Sequence, residues 1–229
     1  MMDTPLKIFV GYDTREDEAW QVCRHSLLRH ASAAIEVTPI KLAEVRAAGL
    51  YSRPHDQLAS TEFTLSRFLT PTLAASEGWS MFVDCDFLFT DDVLQILQGL
   101  SPQYAVYVVK HDYQPAFSTK MDGQLQHRYV RKNWSSLMLF NGSHPKVKAL
   151  TPAVVNQASP SYLHRFEWLA DEDIAELGTD WNFLVGEYTK PQALPHAIHF
   201  TNGGPWHEQW KDVEYGELWN QELALIKQK

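Results

Sequence analysis

Cysteine is nearly missing from this 229-residue chain: only Cys23 and Cys85 occur, too few for a disulfide scaffold, and their scarcity points to a reducing compartment. The cytoplasm is the expected location. Positive charge is also in short supply, with 20 Lys and Arg against 28 Asp and Glu and a net charge of -8. That balance excludes nucleic acid as a partner, because neutralising phosphates takes an excess of Lys and Arg on one face. It leaves room for a small anionic ligand carried by a metal. No uncharged apolar stretch is long enough to span a bilayer, so no transmembrane segment is expected. Met1 leads into Lys7-Ile8-Phe9-Val10 without the regions of a signal peptide. The segment from Glu208 carries Asp212, Glu214, Glu217 and Glu222 and lacks the basic amphipathic character of a membrane-surface anchor. Repeats and low-complexity segments are absent. What is present is 45% hydrophobic and 12% aromatic, the composition of a soluble folded protein with aromatics to spare for a ligand-stacking cleft. The length suits one domain, residues 1–229.

Hydrophobic periodicity alternates between strand and helix. Lys7 to Tyr12 reads as a strand, followed by Thr14 as a helix N-cap and by Trp20, Cys23, Leu27 and Ala31 at helical spacing. Ile35, Val37 and Pro39 read as a second strand, Ser60 to Ala75 as a helix, and the apolar run from Met81 as a third strand. Asp91 or Asp92 caps Val93 to Leu97; Ala105 to Val109 and Leu137 to Phe140 supply further strands. This alternation predicts an α/β fold with a mainly parallel sheet covered by helices. The stretch 110–132, with Lys120, Arg128, Arg131 and Lys132, has little periodicity and reads as a lid or acceptor loop; a solvated surface excursion is the bland alternative.

The chemistry concentrates in Met81-Phe82-Val83-Asp84-Cys85-Asp86-Phe87-Leu88-Phe89. Side chains alternate along an extended chain, so Asp84 and Asp86 can face the same way at the strand's carboxyl end and offer oxygens to one divalent cation. A D-x-D triplet alone is a weak signal, and Asp171-Glu172-Asp173 is a second instance. The apolar neighbours strengthen the first, since acids in such surroundings are paired or bind a cation. A second constellation is His196-Ala197-Ile198-His199-Phe200-Thr201-Asn202-Gly203-Gly204-Pro205-Trp206, a short strand entering a glycine turn whose N–H groups could cradle an anion.

These two motifs, in this order, resemble those of the GT-A-type nucleotide-sugar glycosyltransferases, most closely glycosyltransferase family 8. The resemblance covers most of the chain and implies a Rossmann-like GT-A fold. It implies that Asp84, Asp86 and His199 hold manganese, with magnesium as the alternative, and that the ion bridges the donor diphosphate. It further implies that Val10-Gly11-Tyr12-Asp13 line the nucleotide base and ribose, and that Arg67 reaches the donor across the cleft. Cys85, Ser135, Gly203 and Gly204 would complete donor binding, and Asp171 and Asp173 would hold the donor sugar as catalytic acids. The activity implied is transfer of a sugar from a UDP-hexose to an acceptor hydroxyl, on a glycan or another molecule, with retention of configuration.

Two departures from the family pattern stand out. Trp134 occupies the position of an Asn, and the segment before Trp206 is one residue shorter and has no Lys before Pro205, a lost phosphate-binding cation that Arg131 or Lys132 could replace. The alternatives are a haloacid-dehalogenase-like phosphatase, in which Phe87-Leu88 stands where Gly-Thr is needed, a metal-dependent nucleotidyltransferase, and a sugar-nucleotide-binding module without turnover.

Overall fold

The computed structural model of the chain describes residues 4–54, 59–112 and 131–228. Most of the predicted lid lies outside them. The chain runs β1 (Leu6–Gly11), α1 (Asp17–His30), β2 (Ile35–Ile40), α2 (Leu42–Ala47), α3 (Thr70–Leu73), β3 (Trp79–Val83), β4 (Phe87–Phe89), β5 (Val106–Val108), β6 (Leu137–Asn141), α4 (Pro145–Lys148), α5 (Pro152–Gln157), α6 (Pro160–His164), β7 (Ile174–Glu176), β8 (Phe183–Leu184), β9 (Ala197–His199) and α7 (Gly216–Lys227). A six-stranded sheet has the order β2-β1-β3-β6-β5-β7, and a three-stranded sheet has the order β4-β9-β8. Within the larger sheet β6 alone runs against its neighbours, so the sheet is mainly parallel as expected.

The central strands are continuous apolar runs because both sheet faces are covered. Met81, Phe82 and Val83 of β3 and Leu137 through Phe140 of β6 are fully buried. Burying one such Phe contributes about 2–3 kcal/mol. Helix α1 buries Ala19, Val22, Cys23, Ser26 and Leu27, the i, i+3, i+4, i+7, i+8 stripe of an amphipathic helix. The predicted stripe through Trp20 and Ala31 was therefore turned slightly off the true face, and Trp20 packs at its edge. Asp13, rather than Thr14, caps the first turn by accepting from the Arg15 N–H at 2.9 Å, and α1 begins at Asp17. Asp92 caps the turn Val93–Leu97 through the Leu94 N–H.

The predicted Ser60–Ala75 helix is broken into a 3-10 turn at Ser66–Leu69 and the short α3. Pro71 has no N–H to give to the preceding turn, so an uninterrupted ladder cannot pass through it. The smaller sheet packs Leu88, Phe183, Ile198 and Phe200 beneath Tyr215 and Trp219 at the start of α7. Helix α7 docks on α1 through Glu222, which is buried and accepts from Arg29 Nε and Nη2 while lying 2.6 Å from His25 Nδ1.

A candidate cation and donor site

The two sheets meet where β3 ends. Asp84 N–H donates to Ser136 O at 2.9 Å, extending the pairing of β3 with the start of β6, and the chain then turns into β4. Phe200 N–H donates to Asp86 O at 3.0 Å and fastens the end of β9 to that turn. The result brings Asp84, Asp86 and His199 together, each offering one ligand atom, with all three atoms within 4.8 Å of one another. The two carboxylates are about one-sixth exposed and the imidazole is 2% exposed, so the acids form the open side of the group.

Asn182 fixes which imidazole nitrogen is available. The Ser136 hydroxyl donates to Asn133 O at 2.7 Å and therefore accepts from Asn182 Nδ2 at 2.8 Å. The Asn182 carbonyl oxygen is thereby turned to His199 Nδ1 at 2.8 Å, which must donate. In the neutral ring Nε2 then carries a lone pair, and it faces Asp86 Oδ2 at 3.2 Å. Two lone pairs at that separation repel unless a proton or a cation stands between them. A buried imidazole with its far N–H committed to a carbonyl, beside two carboxylates, is a donor set that fits a divalent metal ion. The Phe87 ring stacks on the His199 ring at 4.3 Å and holds its plane.

The Arg67 guanidinium is buried 2.8 Å from Asp84 Oδ1, and donates to Ser135 O at 2.9 Å and Thr64 O at 3.0 Å. The rings of Phe63 and Phe82 lie 5.3 and 5.0 Å from it. It orients the Asp84 carboxylate.

The other predicted positions divide between the site's edge and the interior. Val10 is fully buried, and Gly11 is needed because a Cβ there would come within 2.4 Å of the Phe63 ring. Tyr12 donates its hydroxyl to Asp17 at 2.7 Å. Asp13 is buried; burial alone would raise its carboxyl, but hydrogen bonds from Arg15 and the Glu62 N–H outweigh that and hold it below the usual range. Cys85 is buried between the two acids, its thiol 3.4 Å from Glu16 Oε2, and burial followed by the charges of Glu16, Asp86 and Asp84 pushes that thiol well above its ordinary value. The Ser135 hydroxyl bonds His164 Nδ1 at 2.8 Å. The Gly203 N–H is donated to Phe200 O at 2.8 Å, and the Trp206 ring covers the face of Gly204.

Asp171 and Asp173 are not brought to the Asp84 group. Asp173 O accepts from Ala105 N, and Ala105 O accepts from Asn141 N, opposite Trp79 at the far end of β3 from Val83. Their carboxylates pair with Arg131 and Lys146 respectively. Arg131, together with Lys110, flanks the Trp134 ring at 5.2 and 5.8 Å. Asn182 and Glu16 escaped the sequence reading. Asn182 left a trace: it is the single polar residue in Trp181-Asn182-Phe183-Leu184, and a polar group in such a run must find a partner.

No protein-family model matches the chain. It is 49% identical over 223 residues to Protein CDI of Arabidopsis thaliana, a match covering 96% of this chain and 86% of that protein. Among solved structures, the glycosyltransferase GlyE of Streptococcus pneumoniae TIGR4 superposes with a TM-score of 0.62 at 15% identity, over 96% of this chain and 60% of that one. The bifunctional glycosyltransferase WbbM gives 0.60 at 15% identity, over 98% of this chain. The chain thus spans half of WbbM and three-fifths of GlyE. The galactosyltransferase LgtC, solved with donor and acceptor sugar analogues, gives 0.58 at 12% identity over 96% and 95% of the two chains. At these identities the likeness is one of fold, and the fold is the GT-A type.

Proposed function

We propose, for a chain that belongs to the family of Arabidopsis thaliana Protein CDI and has the GT-A fold, that it is a metal-dependent glycosyltransferase acting on a nucleotide-diphosphate sugar. The observation that carries this reading is the convergence of Asp84, Asp86 and His199 at the carboxyl end of β3, with Asn182 presenting the His199 Nε2 lone pair to the same point. In an open α/β sheet that end is where ligands bind.

Asp84, Asp86 and His199 would hold manganese, or magnesium in its place. When bound, the ion supplies Lewis-acid stabilisation of the negative charge that gathers on a departing diphosphate. The chain's own part is to keep the three ligands rigid: Arg67 aims Asp84, the Phe200 N–H pins the backbone at Asp86, and Asn182 sets the His199 tautomer. Preorganised ligands of this kind need no rearrangement as charge develops. Tyr12 and the buried end of β1 form the adjoining edge where a nucleotide would lie. The UDP-hexose donor and the retention of configuration in this proposal are carried over from the resemblance to glycosyltransferase family 8.

The test is manganese-dependent UDP-sugar hydrolysis or transfer in wild type and in Asp86→Asn. Loss of at least two orders of magnitude in rate is expected, about the effect of removing one electrostatic stabiliser, with the circular-dichroism melt kept near wild type. Wild-type turnover in Asp86→Asn sinks the metal assignment. Tight UDP binding with neither transfer nor hydrolysis would favour a binding module, and phosphate release from simple phosphomonoesters a phosphatase.

A further inference from the structure

One imidazole away from the ligands ties together the chain segments that carry the cation site. His196 stands just ahead of β9, three residues before His199. Its Nδ1 lies 3.0 Å from Asp91 Oδ2 and its Nε2 lies 3.1 Å from Asp180 Oδ2. Asp91 follows β4, the strand that leaves Asp86, and Asp180 belongs to the turn Thr179–Trp181 that delivers Asn182. The ring also stacks on the buried Trp181 of that turn, with centroids 4.6 Å apart and planes 25° apart.

Backbone contacts reinforce the same junction. The Thr90 N–H donates to His196 O at 3.0 Å and the Thr90 hydroxyl donates to Pro195 O, so β4 and β9 stay joined beyond the pairing of Phe89 with Ala197. Asp91 is steadied through its other oxygen, which accepts from Gln95 Nε2 at 2.9 Å. The Asn182 N–H donates to Thr179 O at 3.2 Å and closes the turn that holds Asp180.

The acids are nearly half exposed, at 45% and 49%, and the imidazole is 29% exposed. Ion pairs so open to water add little to stability, so holding the fold together is a weak use for this bridge. Direction is a better one. Pairing of β9 with β4 and β8 places His199 opposite Phe87 and Leu184, whereas the Asn182 amide comes from the turn ahead of β8. The 2.8 Å contact between Asn182 Oδ1 and His199 Nδ1 therefore depends on how that turn sits against β9, and a hydrogen bond weakens steeply as its alignment is lost. His196 fastens the turn to β9 through both Asp180 and Trp181.

We infer that His196 is a positioning residue for the cation site: by bridging Asp91 and Asp180 and stacking on Trp181, it locks the turn that carries Asn182 to the strand that carries His199. This rests on the reading of Asp84, Asp86 and His199 as ligands of a divalent cation.

Manganese is titrated by electron paramagnetic resonance into wild type, His196→Ala, Asp180→Ala, Asn182→Ala and the double variant of His196 and Asn182, with the metal-free melt followed by circular dichroism. His196→Ala is expected to bind manganese about threefold to tenfold more weakly, less than the 10–100-fold of a partner that touches the ligating histidine, and to melt near wild type. Asp180→Ala breaks the bridge from its other side and should lose as much. In the Asn182→Ala background, removing His196 should change the affinity less than about twofold, because the contact it acts through is already gone. Wild-type affinity in both His196→Ala and Asp180→Ala overturns the inference and leaves the metal reading standing. So do fully additive losses in the double variant, since His196 would then act by a route other than Asn182. A wild type that takes up no manganese overturns both.

Discussion

Arg67 Nη1 lies 2.8 Å from Asp84 Oδ1, and both groups are largely withdrawn from water. A buried ion pair is costly to break from one side, because the remaining charge is left without its partner. Arg67→Met should therefore lose about 3–5 kcal/mol in urea unfolding. Adding Asp84→Leu to it should restore much of the loss, since no charge is then stranded. A single variant as stable as wild type would show that Arg67 does not hold Asp84.

Asn182 reaches the proposed cation site through His199. Asn182→Ala should weaken manganese binding about 10–100-fold, the usual effect of deleting a partner that orients a ligating histidine. Asn182→Asp keeps the acceptor for Nδ1 and should retain most of the affinity. Unchanged manganese affinity in the alanine variant would mean that the His199 tautomer is fixed by something else.

The seam between α1 and α7 depends on pH in a defined direction. Burial would raise the Glu222 carboxyl, but its hydrogen bonds from Arg29 and His25 dominate and hold it below its ordinary value of 4.5. A depressed carboxylate stabilises the fold fully above its unfolded value and loses that contribution as pH falls through the lower folded value. Glu222→Gln should cost about 2 kcal/mol at pH 7, the scale of a charged hydrogen bond. That difference from wild type should shrink steadily below the ordinary value. A gap that stayed constant in acid would remove the ion pair from the account.

Gly11 is a packing requirement of β1. Gly11→Ala would press a methyl into the Phe63 ring, 2.4 Å from its nearest carbon, and should cost about 1–3 kcal/mol. Phe63→Leu in the same chain should relieve part of this. No recovery in the double variant would place the cost in the strand backbone.

The central strands were legible because burial on both faces leaves an unbroken apolar run, as in Phe82 and Val83 of β3 and Leu137 to Phe140 of β6. The D-x-D pair and His199 were legible for a related reason: polar residues at the ends of such runs have few structural uses. The smaller sheet was harder to see. Its strands have two or three residues, too few for any period to register, and they exist because long-range packing under Trp219 and Tyr215 creates them. The contact of Arg67 with Asp84 was not legible, because an arginine in a helical turn gives no sign in sequence of which way it points. Asp171 and Asp173 looked like Asp84 and Asp86 in sequence, but the Asp173 backbone joins the sheet at the Trp79 end of β3, a matter of register that spacing cannot encode.

The bond from Phe200 to Asp86 joins stretches of chain more than a hundred residues apart, and Asp86 and His199 are themselves separated by 113 positions. A nascent polypeptide still missing its last quarter would hold Asp84 and Asp86 without His199, so the proposed cation site could not be completed before synthesis has nearly finished. Metal uptake at that site would thus coincide with a late, non-local closure of the molecule and reward its completion.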